Sequence, residues 1–64
     1  MTMNNDEINW VGRRVEQVRC MAPEYQYRVG RKGTVEETIV DEKGQTHCKT
    51  DDGVWCPSHL LAIL

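Results

Sequence analysis

The sequence predicts a small all-β domain built from short antiparallel strands joined by tight hairpins. Two turn signals and one strand signal carry that expectation. Asp51-Asp52-Gly53 has the chemistry of a three-residue hairpin loop, with the aspartates in a type I turn and glycine in the left-handed position. Asp41-Glu42-Lys43-Gly44 repeats that chemistry upstream. Between Gly33 and Asp41, the run Thr34-Val35-Glu36-Glu37-Thr38-Ile39-Val40 is rich in β-branched residues, which pack well on a pleated surface.

The Asp51-Asp52-Gly53 loop fixes a register. With Thr50 opposite Val54, Lys49 falls opposite Trp55, Cys48 opposite Cys56 and His47 opposite Pro57. Alternation then places Cys48, Val54 and Cys56 on one face of the hairpin and His47, Lys49 and Trp55 on the other. The following Pro57-Ser58-His59-Leu60 reads as one short helical turn.

Upstream, the chain divides in order. Residues 1 to 7 lack apolar periodicity and are expected to form a loose leader to a single domain spanning 1–64. From residue 6 to about Cys20 two readings compete. Ile8, Val11, Val15 and Val18 fall at helical spacing, with Asn5 or Asp6 as a cap and Glu7 in the first turn. Gly12 and the β-branched valines favour a strand, in which Val15 and Val18 point to opposite faces. We read a strand; a helix there converts the fold to α+β, an N-terminal helix on a three-stranded antiparallel sheet. Met21 to Gly30 holds Pro23 and two tyrosines without alternation and reads as a long loop. Gly30 and Gly33 bracket Arg31-Lys32 as a short turn pair leading into the next strand.

Three stretches carry a family resemblance. Trp55-Cys56-Pro57-Ser58-His59-Leu60-Leu61 is similar to the C-terminal signature of Src-homology-3 barrels, where a strand ends in Pro-Ser, makes a single 3-10 turn and leaves in a last short strand. Gly12-Arg13-Arg14-Val15 and Gly30-Arg31-Lys32-Gly33-Thr34-Val35 resemble strand openings in small bacterial barrels of that architecture, including modules of the Kyrpides-Ouzounis-Woese type. The resemblance implies a five-stranded Src-homology-3-like barrel with one 3-10 turn, closed by a last strand at Leu60 to Leu64 that returns to the first. It also implies that function sits on the loop between the first two strands. No aromatic-acidic tyrosine motif and no Trp-Trp pair is present, so the resemblance does not carry over proline-rich peptide recognition.

Composition narrows the function classes. A domain of 64 residues buries only roughly 60% of the surface its unfolded chain exposes, so its core is thin. The longest apolar run, Leu60 to Leu64, is far too short to cross a bilayer, so no membrane role is expected. An acidic, polar N-terminus lacks the features of a cleavable signal, and three cysteines are an odd number for a disulfide framework. A cytoplasmic location with free, buried thiols is therefore expected, although the register allows a Cys48–Cys56 bond. Net charge is -2, but residues 1 to 32 hold six basic against four acidic side chains (+2) and residues 33 to 64 hold two against six (-4).

Four chemistries are weighed on this frame. Metal binding would draw on Cys48, Cys56 and His59, with His47 and Cys20 as further donors, but only Cys56-x-x-His59 has ligand-like spacing. Cysteines as small core hydrophobes with surface histidines are the favoured reading, and no cofactor is expected. A Cys-His nucleophile needs an electropositive, partly exposed thiolate, whereas Cys56 points inward and its neighbouring charges are mostly acidic. No phosphate-cradling loop, carboxylate pair or nucleophile elbow appears, so the chain is read as non-enzymatic. Nucleic-acid binding would use Arg13, Arg14, Arg28, Arg31 and Lys32 with Tyr25 and Tyr27 as stacking surfaces, against an isoelectric point near 5.5. Protein recognition requires less: Tyr25, Tyr27, Arg28 and Trp55 form a loop-borne aromatic and basic surface, and Arg31 and Lys32 add positive charge toward an acidic partner. Trp55 on the outer face is expected either to anchor that contact or to pack under the 21–30 loop, with Trp10 in the core or capping an open barrel end. The sequence is thus expected to encode a regulatory or binding module for a protein partner, with nucleic acid as the alternative and a homodimer left open.

Overall fold

The computed structural model describes residues 8–64. The expected leader at 1 to 7 and the capping candidates Asn5 and Asp6 lie outside the described residues. Five antiparallel strands form one sheet in the order β4-β3-β2-β1-β5: β1 (Arg14–Gln17), β2 (Lys32–Val40), β3 (Thr46–Thr50), β4 (Trp55–Pro57) and β5 (Leu61–Ile63). A 3-10 turn at Ser58–Leu60 joins β4 to β5, as the Pro-Ser sequence predicts. A second 3-10 segment, Pro23–Arg28, occupies the middle of the long loop between β1 and β2, where no regular structure was expected.

The β3–β4 hairpin has the predicted register, with His47 opposite Pro57, Cys48 opposite Cys56 and Lys49 opposite Trp55. Gly53 sits at φ 85° and donates its N–H to the Thr50 carbonyl at 2.8 Å, while the Thr50 N–H reaches the Val54 carbonyl at 3.0 Å. A glycine is needed there because a side chain in the left-handed region crowds the following carbonyl. Asp52 Oδ1 locks the loop by accepting the Val54 N–H at 3.1 Å and the Thr50 hydroxyl at 2.5 Å. The β2–β3 hairpin repeats the device. Gly44, at φ 83°, donates to the Asp41 carbonyl at 3.0 Å, and Asp41 Oδ1 accepts the N–H groups of Lys43 and Gln45, both at 2.9 Å.

Residues 14–17 form a strand, and the helix considered for residues 6 to 20 is not present over its described part. Gly12 lies at φ 87° and donates its N–H to the Val35 carbonyl at 2.8 Å, so the chain turns there instead of coiling. The Val15 side chain is buried and Val18 exposed, the strand-like alternation.

Strand β2 organises the sheet because it is shared. Its first residues pair with β1, Val15 lying opposite Gly33, and from Val35 onward it pairs with β3, with a register shift between Val35 and Glu37. Such an irregularity bends a strand and raises its local twist. The bend lets all five strands face one core, to which Val15, Val35, Cys48, Cys56 and Leu61 contribute one residue from each strand and Trp10 and Leu60 add bulk. Strand β5 returns to β1, with Gln17 opposite Leu61 and Val15 opposite Ile63, the pairing expected of the last strand. Gln45 Nε2 donates to the buried Ser58 Oγ at 3.0 Å, pinning the 3-10 turn to the β2–β3 hairpin.

One expectation is corrected. Gly33 does not form a turn with Arg31 and Lys32; it lies inside β2, buried, with its backbone against the β3–β4 loop. A Cβ at this position would sit 3.0 Å from both Thr50 Cβ and Asp51 Oδ1. Glycine is thus needed for close approach of two chain segments. Gly33→Ala is expected to lower stability by about 1–3 kcal/mol, the usual cost of overpacking, read as a reduced urea midpoint with an unchanged slope.

The loop aspartates also make stability depend on acid. Asp41 is held below its ordinary 3.8 first by its hydrogen bond with His47 and then by the Gln45 N–H, and Asp52 is held below the same value chiefly by the Thr50 hydroxyl, then by the Val54 N–H and the Arg31 charge. Depressed folded-state values stabilise the fold fully above 3.8 and lose that contribution as pH falls through the lowered values. The melting temperature followed by circular dichroism is therefore expected to drop as pH falls below about 4, and more shallowly in Asp41→Asn and Asp52→Asn.

Candidate functional site

A groove opens between the Pro23–Arg28 segment and β4, and its walls come from opposite ends of the sequence. Pro23 starts the 3-10 segment because its ring presets φ, and Ala22 before it is extended at φ -150° and ψ 154°, as a residue preceding proline should be. The segment closes through Tyr25 N–H to the Ala22 carbonyl at 2.9 Å and Val29 N–H to the Gln26 carbonyl at 3.1 Å. Those two 3-10 turns project Tyr25, Tyr27 and Arg28 from one short segment.

Arg28 is held in place by its neighbours. Its guanidinium lies over the Tyr25 ring at 4.9 Å and the Tyr27 ring at 5.5 Å, and its Nε donates to Tyr27 Oη at 3.2 Å. Contacts of a cation with ring faces restrain a side chain that otherwise samples many rotamers. Among the described residues, Arg28 has no carboxylate partner.

Opposite, the register of the β3–β4 hairpin sets Trp55 beside Lys49 on the outer side of the sheet. Trp55 is neither fully exposed nor packed beneath the loop: 41% of it is accessible, and it forms one wall of a groove of about 100 Å³. Tyr25, Met21, Pro57 and Leu60 supply the other apolar surface, Arg28 supplies charge, and Gln17, Val54 and Cys56 complete the lining. Met21 and Tyr27 are the most exposed large apolar side chains near it, at 69% and 74%.

Of the residues singled out from the sequence, Tyr25, Arg28 and Trp55 converge on this groove, and Tyr27 stacks on Arg28 just outside it. Arg31 does not line it. Its Nη1 is ion-paired with Asp52 and lies 3.4 Å from Thr50 Oγ1, so it is tied to the β3–β4 loop. Lys32 also lies off the groove, exposed on β2 opposite Glu16. Arg13 and Arg14 are occupied locally, Arg13 Nε with the Asn9 carbonyl and Arg14 Nη1 with Thr34 Oγ1, each at 3.3 Å. Met21, Pro57 and Leu60 went unnoticed in the sequence. Pro57 had a readable signal, since it stands two residues from Trp55 and shares its strand face.

The cysteine and histidine candidates are dispersed. His47 Nε2 is 2.9 Å from Asp41 Oδ2, His59 is exposed on the last 3-10 turn, and Cys48 and Cys56 are buried. Among the described residues, no three His, Cys, Asp or Glu side chains are grouped to hold a metal ion. Burial, then the neighbouring Cys56, pushes the Cys48 thiol up to about 11; burial raises Cys56, against the pull of Arg31 and Arg28. Such thiols stay protonated at neutral pH. No helix among the described residues is long and apolar enough to cross a membrane. No protein-family model, curated protein or solved structure matches the chain.

Proposed function

We propose that this chain is a small, non-enzymatic, cytoplasmic binding or regulatory module that takes an extended segment of a protein partner into the groove between Pro23–Arg28 and β4. Apolar side chains of the partner lie against Trp55, Tyr25 and Met21, and a carboxylate of the partner meets Arg28. The observation that carries this reading is the convergence of Tyr25, Arg28 and Trp55 on one open groove. Trp, Tyr and Arg are the residue types that dominate binding energy at interfaces: the two aromatics bury large areas with few rotamers to freeze, and Arg brings a planar set of donors. Arg28 is already ordered by two ring contacts and offers a planar fork that matches a carboxylate. Lys49 beside Trp55 adds a second positive charge to the same side. The resemblance to Src-homology-3-like barrels agrees with function on the loop after the first strand.

Nucleic acid is the second reading, favoured by the stacked Arg28–Tyr25–Tyr27 cluster, which resembles a platform for bases. The acidic isoelectric point of 5.5 weighs against it, since backbone phosphates reward a basic face. Salt separates the two, because phosphate contacts lose affinity steeply with ionic strength and an apolar-anchored groove loses less.

The test uses peptides selected from a displayed library on the purified chain, with affinity measured by calorimetry. Trp55→Ala is expected to weaken the selected peptides by about 30-fold, a hot-spot loss of about 2 kcal/mol, with the thermal transition preserved. Arg28→Lys is expected to recover only part of the affinity lost in Arg28→Ala, because lysine keeps the charge and lacks the fork. Global unfolding by Trp55→Ala assigns that residue to the core and ends the anchor role, and full affinity in Arg28→Ala removes the carboxylate contact.

A further inference from the structure

Beneath the groove, Cys48 on β3 and Cys56 on β4 stand directly opposite each other. Both are free thiols, both point into the core, and they are 0% and 3% exposed. The type of pair follows from the hairpin. Thr50 and Val54 are hydrogen-bonded at 3.0 Å, and opposed residues alternate between bonded and non-bonded pairs, so two steps along each strand Cys48 and Cys56 are again a bonded pair. Such pairs hold their Cα atoms about 5.5 Å apart, inside the span of roughly 4.4–6.8 Å that a disulfide bridges.

We propose that Cys48 and Cys56 are an oxidation site, closing a disulfide across β3 and β4 when the protein meets a small disulfide oxidant of the glutathione type. In the first step the Cys56 thiolate, its proton lost to solvent, attacks the oxidant's disulfide, forming a mixed disulfide and releasing one small thiol. In the second, the Cys48 thiolate attacks Cys56 Sγ, the protein disulfide forms and the second small thiol leaves. Two protein S–H bonds and the oxidant's S–S bond are exchanged for one protein S–S bond and two small-molecule thiols.

The order follows from access. Cys56 contributes to the groove wall, whereas Cys48 has no exposed surface. Arg31 and Arg28 favour the Cys56 thiolate against the effect of burial, so Cys56 attacks and Cys48 resolves. Directly opposed Cβ atoms in bonded pairs lie at the wide end of the cross-strand range, about 5.5 Å, beyond the roughly 4.5 Å limit usual for a disulfide. The strands must draw together, and a bond held under that strain is readily reduced. Free thiols are then the resting form in a reducing compartment, and the bond is a response to oxidant. Because Trp55 and Pro57 flank Cys56 on β4, closure shifts one wall of the groove, whatever the groove holds.

Cys20, half-buried with Sγ 3.4 Å from Gln26 Oε1, is the third thiol and is removed for the test. The folded Cys20→Ser chain is incubated with oxidised glutathione, quenched by alkylation, and analysed by intact mass and peptide mapping. The expected product has lost two hydrogen atoms, resists alkylation at both Cys48 and Cys56, and recovers both thiols on mild reduction. Its formation should accelerate about tenfold per pH unit near neutrality, following the thiolate fraction. Adding Cys48→Ala should arrest the reaction as one glutathione on Cys56, and adding Cys56→Ala should leave Cys48 unmodified. Intermolecular dimers as the sole product, or both thiols still fully alkylated after oxidation, overturn the proposal. Should an alanine variant fail to fold, mapping of the Cys20→Ser product alone decides between the bridge and its absence.

Discussion

The register of β3 against β4 is the constraint on which the remaining structure depends, and one glycine and one aspartate hold it. Gly53 takes a backbone conformation that costs an ordinary residue roughly 1–2 kcal/mol, and Asp52 fastens the loop from the side. A slip of β4 by one residue would turn Cys56 outward, away from Cys48, and carry Trp55 into the core, because alternation has a period of two. With the register set, two thiols enter the core, Trp55 and Lys49 face out, and the wall of a groove exists. The same loop accepts the Arg31 guanidinium on Asp52 and presses against Gly33, so it also fixes how β2 passes it.

A thin core explains why so much polar chemistry is spent on holding segments together. Seven apolar side chains are buried among the described residues, several of them small. Where larger domains would bury leucine or phenylalanine, this one also buries Thr50, Ser58 and Gln17 with defined partners. Gln17 Nε2, for example, donates to the Arg19 carbonyl at 2.9 Å, while its backbone is paired with Arg31 and Gly30. Buried polar groups with satisfied bonds cost little and specify one arrangement. The loop after β1 is thereby anchored at its base while its tip carries exposed tyrosines.

The hairpins were legible in the sequence because their chemistry is local. Asp-Gly turns name their own conformation, and alternation from Gly53 sufficed to orient Trp55 and the cysteines. Gly12 likewise decided for a strand at Val15, since a left-handed glycine interrupts a helix. The role of Gly33 was hidden because it depends on Thr50 and Asp51, seventeen and eighteen positions away, and glycine in a turn looks the same as glycine at a close contact. The 3-10 segment at Pro23–Arg28 was hidden because six residues are too few for an apolar periodicity to be read. Of the candidate site, the aromatic residues and Arg28 were visible by residue type. Arg31 and Lys32 were visible only as charge, and charge along a sequence does not reveal that Asp52 has already taken Arg31.

The central claim is that Tyr25, Arg28 and Trp55 form one recognition groove for an acidic, apolar protein segment. Nitrogen–proton NMR of labelled protein tests it most directly, by titration at low and moderate salt with an acidic, apolar peptide and, separately, with short mixed-sequence DNA and RNA. The account predicts peptide-induced shifts at the Trp55 indole and the Tyr25 and Arg28 signals that survive added salt, with the nucleic acids silent. Salt-sensitive shifts from DNA or RNA concentrated at Arg13, Arg14, Arg28 and Lys32, with no response to the peptide, contradict it.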